Sequence, residues 1–128
     1  MAKRLNKTPK VGFGSADPLQ EYYADGTGNL YGVARLIEAT KHLPVFDCPL
    51  AALDLSAEIW QGCDIHALAW HVKRVNDADL NEPILLDWRG VIADGRHRVI
   101  KALSLGKRTI KARRMMWKPE PCTTEEVT

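Results

Sequence analysis

No part of this sequence is apolar for the roughly 20 residues that a membrane-spanning helix needs. Its basic start, MAKRLNKTPK, also lacks the apolar centre of a secretion signal. Both absences predict a cytoplasmic chain with no membrane partner. Cysteine is scarce. Cys48, Cys63 and Cys122 are odd in number and irregularly spaced, which argues against a disulfide framework and suits reduced thiols. The usual signatures of hydrolytic sites are missing as well: HExxH, a Ser-His-Asp order, paired carboxylates at catalytic spacing, or a Walker loop. Cys63, His66 and His71 form a partial metal set without a fourth ligand at suitable spacing, so no metal site is predicted.

What is present suits one folded unit. A chain of 128 residues with 45% hydrophobic and 27% charged residues can close a single core. Residues 1–28, rich in Gly, Pro and polar side chains, read as a flexible arm with turns. Residues 29–118 read as the domain, and 119–128 as an acidic tail carrying Glu120, Glu125 and Glu126. Asn29 is a candidate N-cap for a helix with Leu30, Val33, Ala34 and Ile37 at helical spacing, stopped by Pro44. PVFDCPL is a short strand in which Pro49 marks an end or an edge, followed by a loop with one helical turn. Asp64 caps a second helix whose apolar stripe is Ile65, Leu68, Ala69, Val72 and Val75, with Ala67, His71 and Arg74 half-buried beside it. PILLDWRGVIA reads as a hairpin turning at Arg89-Gly90. A helix from about Arg96 to Leu105 follows, stopped by Gly106, and RTIKARRMMW closes the chain as a strand. The fold class predicted is α+β, a small mixed sheet with packed helices.

Charge points to one segment. The net excess is only +2, yet nine Lys or Arg residues and no Asp or Glu lie between Arg96 and Lys118, and four more basic residues lie in the first ten. Where a helix starts directly after a strand, its unpaired N–H groups and positive dipole end favour phosphate. Asp94-Gly95 is such a junction. Gly95 permits the change of direction and close approach of a ligand, and Arg96, His97 and Arg98 add charge-assisted donors within the first turn. Asp94 is placed to cap the helix, orient His97 or hold a metal that arrives with the phosphates. A capped surface helix with solvated arginines is the plainer alternative. His71 and Arg74, one turn apart, face the same anion if the two helices pack with their N-terminal portions close; otherwise His71 is a structural histidine. Lys107, Arg108, Lys111, Arg113 and Arg114 are candidates for a nucleic-acid-binding strand surface, against an ordinary solvated face. Trp60, Trp70, Trp88 and Trp117 are candidate base-stacking groups, although most tryptophans serve as core or interface residues.

The stretch PILLDWRGVIADGRHRVIKALSLGKRTIKARR resembles the signature region of the ParB/sulfiredoxin-like superfamily: hairpin, Asp-Gly-x-His-Arg turn, helix ending at Leu-Gly, then strand. With LPVFDCPLAALDLS and the helix at Asp64, the resemblance covers roughly residues 43–116. Its members include DNA-partition proteins that bind and hydrolyse CTP, nuclease-like domains, sulfiredoxins that use ATP, and a free-serine kinase. The resemblance implies a nucleotide-phosphate site at Gly95, His97 and Arg98, with Asp94 as in the Asp-Gly versions. Arg96 stands where sulfiredoxins carry their catalytic cysteine, so sulfinic-acid repair is not expected. The expectation is therefore a ParB-like domain binding a nucleotide (ATP or CTP) or nucleic-acid phosphate and acting on DNA. Alternatives are a nuclease, nucleotide hydrolase or kinase with Asp94 and His97 catalytic and Mg2+ bound, and a non-catalytic module docking an acidic protein partner.

Overall fold

The hairpin of PILLDWRGVIA positions everything else. In a computed structural model that describes residues 8–14, 21–56, 60, 62–121 and 123–124, its strands are β4 (Ile84–Leu86) and β5 (Ile92–Asp94). Around them, in chain order, come β1 (Tyr22–Ala24), β2 (Asn29–Gly32), α1 (Val33–Thr40), β3 (Phe46–Pro49), a 3-10 turn (Leu50–Ala52) and α2 (Ile65–Asp77). After the hairpin follow α3 (Arg96–Ser104), β6 (Thr109–Arg114) and β7 (Thr123–Thr124). The class is α+β. No helix among the described residues is long and apolar enough to cross a membrane.

The main sheet has the order β3-β6-β4-β5, antiparallel except where β4 runs parallel to β6 with Ile84 opposite Ala112. β4 is buried at all three residues, as expected for a strand covered on both faces. Alternation along the strands divides the core. Ile84, Leu86, Ile110 and Ala112 face one side with Cys48, Leu50, Val99 and Ala102, placing α3 on that face. Leu85 and Met115 pack on the other side with Tyr23, Tyr31, Val33 and Leu36, from β1, β2 and α1. Pro49 ends edge strand β3, where its missing N–H costs no ladder bond. The α3 helix stops as read: Gly106 has φ +71, and Gly106 N and Lys107 N donate to Leu103 O and Ala102 O, a Schellman closure.

The first helix differs from expectation. Asn29 to Gly32 form strand β2, and α1 begins only at Val33, burying Val33, Leu36 and Thr40 while Ile37 stays exposed. Strand pairing overrides the local period here, because Tyr23 lies opposite Tyr31 and the Tyr31 hydroxyl donates to Asp25. Asn29 donates to Asp25 instead of capping a helix. Residues Tyr22–Ala24, read as part of a loose arm, are a paired strand, and Thr123–Thr124, read as tail, pair with β2 as β7.

The two sheets are joined by a buried carboxylate that the sequence reading did not single out. Asp87 is 0% exposed and accepts from the Tyr23 hydroxyl (2.6 Å), the Arg89 side chain, and the Arg89 and Val91 amides. Burial and the bond to Asp87 raise the Tyr23 phenol to about 12. Burial alone would raise Asp87, but these donors hold it below the ordinary carboxylate range.

Candidate functional site

The strand-to-helix junction is built around one glycine. Gly95 has φ +107, and a Cβ there would lie 2.5 Å from Ile84 Cγ2, so both backbone and packing demand glycine. Helical bonding starts with Val99 N donating to Gly95 O (3.0 Å), and Gly95 offers the first turn no side-chain cap.

The residues of that turn separate into different jobs. Asp94 does not cap α3. Its Oδ2 accepts from Arg98 Nη2 at 2.8 Å, while Arg98 Nη1 donates to the Glu82 and Pro83 carbonyls at 3.1 and 2.6 Å. Arg98 is thus a clamp between the start of α3 and the entry to β4, with its side chain 17% exposed. His97 points instead toward α2, where its Nε2 lies 2.8 Å from His71 Nδ1. Arg96 is exposed at the rim.

His71 and His97 form a bonded pair inside an aromatic frame. The Trp60 indole stacks on His71 with centroids 3.6 Å apart, and Trp70 meets both imidazoles edge-on. Burial, then the charge of Arg74, then the second imidazole lower His97 to about 4, against an opposing pull from Asp94. Burial and Arg74 lower His71 as well. At neutral pH the pair is uncharged, with one ring donating and the other accepting. Arg74 lies over the Trp70 ring at 4.9 Å and 3.5 Å from Glu21.

Two cavities meet at this junction and share Arg74, Asp94, Gly95 and His97 in their walls. One, of about 480 Å³, runs toward Arg98 and Arg113 and includes the acidic Asp77, Asp79 and Glu82. The other, of about 430 Å³, is walled by Trp60, Trp70, His71 and Arg96. Arg74 and the two tryptophans enter through α2 and the segment before it, so their meeting with the junction is a tertiary fact. The half-buried stripe Ala67, His71 and Arg74 lies where the sequence reading put it, but the stripe expected in the core does not: Ile65 is 90% exposed, and Leu68 and Val72 are exposed too.

The basic strand is divided. Strand alternation puts Lys111 and Arg113 on one face of β6 and Arg114 on the other, while Lys107 and Arg108 lie exposed in the preceding turn. Arg113 Nε donates to Leu43 O and lines the larger cavity; Arg114 Nη2 donates to Trp88 O. Only Arg113 of the five reaches the junction cavities. Cys63 is exposed, His66 bonds Gly12 O and stacks on Phe13, and His71 bonds His97, so the partial metal set is dispersed; Cys122 lies outside the described residues. Among the described residues no group of three or more His, Cys, Asp or Glu side chains is arranged to hold a metal ion.

No family model, curated protein or solved structure matches this chain.

Proposed function

We propose that the chain is a ParB/sulfiredoxin-like domain that binds the phosphate of a nucleotide, free or within a DNA strand, where the first turn of α3 opens between the two cavities. The order of hairpin, Asp-Gly turn, helix and strand supports the family reading. The observation carrying the site is the convergence of that uncapped first turn with Arg74, His97 and Gly95 in both cavity walls. Arg74 and Arg96 supply charge, and Trp60 and Trp70 provide an aromatic wall for a base. Arg98 serves by fixing the turn, since its guanidinium is already bonded to Asp94 and two carbonyls.

Calorimetry with ATP, CTP and a short DNA duplex, each with and without Mg2+, tests the proposal. Binding of at least one is expected, weakened about tenfold or more in Arg74→Ala as a charge-assisted contact is lost. No heat from any of them ends the phosphate reading. Steep salt dependence of the duplex arm identifies backbone contact.

The His71–His97 pair favours a second, catalytic reading. An imidazole oriented by a second ring in the wall of both cavities can position water or a hydroxyl for attack, as in nuclease or nucleotide hydrolase chemistry. Plasmid nicking or nucleotide turnover with Mg2+ that disappears in His97→Gln supports it; equal turnover in both proteins removes His97 from any mechanism.

A further inference from the structure

The face of α3 away from α2 borders a separate groove of about 360 Å³, walled by the hairpin turn and the loop after the 3-10 turn. Its lining is mainly aliphatic. Leu55, Val91 and Leu103 are 48%, 43% and 42% exposed, and Ile92 and Ile100 form the half-buried floor. Aliphatic side chains from three separate segments thus converge on a concavity without covering it, a pattern typical of a docking surface.

Among the described residues the charges at its edge are unbalanced. Arg96 lies in the groove wall with no hydrogen-bond or ion-pair partner among the described residues. The Arg114 guanidinium lies over Gly90, about 3.6 Å from where a Cβ would sit, and donates to the Trp88 carbonyl, with no ion-pair partner among the described residues. Arg89 is matched by buried Asp87. Asp54, the one acid lining it among the described residues, accepts from Ser56 N and Oγ of its own loop. The groove therefore presents aliphatic contacts beside cations, and its complement is an aliphatic segment flanked by carboxylates.

We infer that this groove docks a short acidic, aliphatic peptide segment of a partner protein, with aliphatic side chains on Leu55, Val91, Ile100 and Leu103 and carboxylates at Arg96 and Arg114. The inference does not rest on phosphate binding, although Arg96 borders both places. An occupied groove and an occupied phosphate site would therefore compete for one guanidinium.

A phage-displayed library of random peptides about twelve residues long, selected on the full chain and in parallel on Leu103→Asp and Arg96→Glu, tests it. Wild type is expected to enrich sequences with Leu, Ile or Val beside Asp or Glu. Recovery should fall about tenfold on Leu103→Asp, as for loss of a central contact, and the acidic position facing Arg96 should drop out of the consensus on Arg96→Glu while the one facing Arg114 is kept. Leu55→Asp repeats the first arm should Leu103→Asp fail to melt cooperatively. Nucleotide titration of Leu103→Asp should match wild type, which keeps this outcome separate from that of the phosphate site. No enrichment, a basic consensus, or recovery indifferent to both groove substitutions overturns the inference. So does a dimer in sedimentation that Leu103→Asp dissociates, because the groove would then hold a second copy of this chain.

Discussion

Helices α2 and α3 pack against each other at the candidate site, yet they are held by different forces. α3 buries Val99 and Ala102 in the core beneath the main sheet. α2 has no buried residue, and its most apolar stripe faces outward. What fixes α2 is directional: the Asp64 cap on Ala67 N, the His71–His97 bond, the ring contacts of Trp60 with His71 and of Trp70 with His97, and Lys101 of α3 donating to Asn76 O and Ala78 O at the far end. One wall of the site is thus anchored by hydrophobic burial and the other by polar and ring contacts. Elements with few buried apolar contacts open at lower free energy than the global fold. The α2 wall is accordingly the one that can adjust to a ligand.

The sharpest way to break this contrast is at the α3 anchor. Gly95→Ala forces a side chain into φ +107 and against Ile84, so it should destabilise by about 3 kcal/mol in urea unfolding. Gly106→Ala, with φ +71 but open space, should cost only about 1 kcal/mol. Equal losses would show that backbone conformation alone matters at Gly95 and that the contact with Ile84 is irrelevant.

Truncation of each helix gives a smaller, more direct comparison. Val99→Ala should cost about 2 kcal/mol, the usual range for a buried aliphatic loss. Ile65→Ser on α2 should stay within about 0.5 kcal/mol of wild type, because its side chain already meets water. A large loss at Ile65 would mean that the α2 stripe is covered in solution.

These two helices also mark where sequence reasoning succeeds. Ends were legible because they depend on neighbours in the chain: Asp64 before Ala67, Gly106 after Leu105, Arg89-Gly90 between two apolar runs. The face that α2 turns inward was not, since a stripe of Ile65, Leu68 and Val72 reads as core until Trp60 and His97 supply partners for the other side. β1 and β2 were hidden because Asp25, with Thr27 N and Oγ1 bonded to its Oδ1, closes a turn that resembles a disordered polar patch in sequence. At the candidate site, Gly95, His97 and His71 stand out by type and spacing. The clamp by Arg98 was not, because its acceptors include backbone carbonyls some fifteen residues upstream that carry no sequence signal. The split of Arg113 from Arg114 was legible in principle, as adjacent strand residues point to opposite faces.

The bond between the two helices is probed through pH. His97 has an ordinary value of 6.5 that burial, with Arg74 and His71, lowers to about 4 in the folded chain. The folded state therefore binds fewer protons than the unfolded state between those values, and stability must rise with pH across the window. The contribution is complete above about pH 6.5 and is lost as pH falls toward 4. After allowance for solvent screening it should amount to about 1 kcal/mol, less than the raw shift at about 1.4 kcal/mol per unit. His71 is lowered too and adds in the same direction, whereas Asp25 and Asp87, both held below 3.8, lose their contributions only in more acidic solution. Urea midpoints measured from pH 4.5 to 7.5 should therefore climb in wild type and climb less steeply in His97→Gln, where only the His71 contribution is left, with values converging toward the acid end of the range. A parallel climb in both proteins would show that the His71–His97 contact does not join α2 to α3 in solution, and that the two walls of the site are held independently.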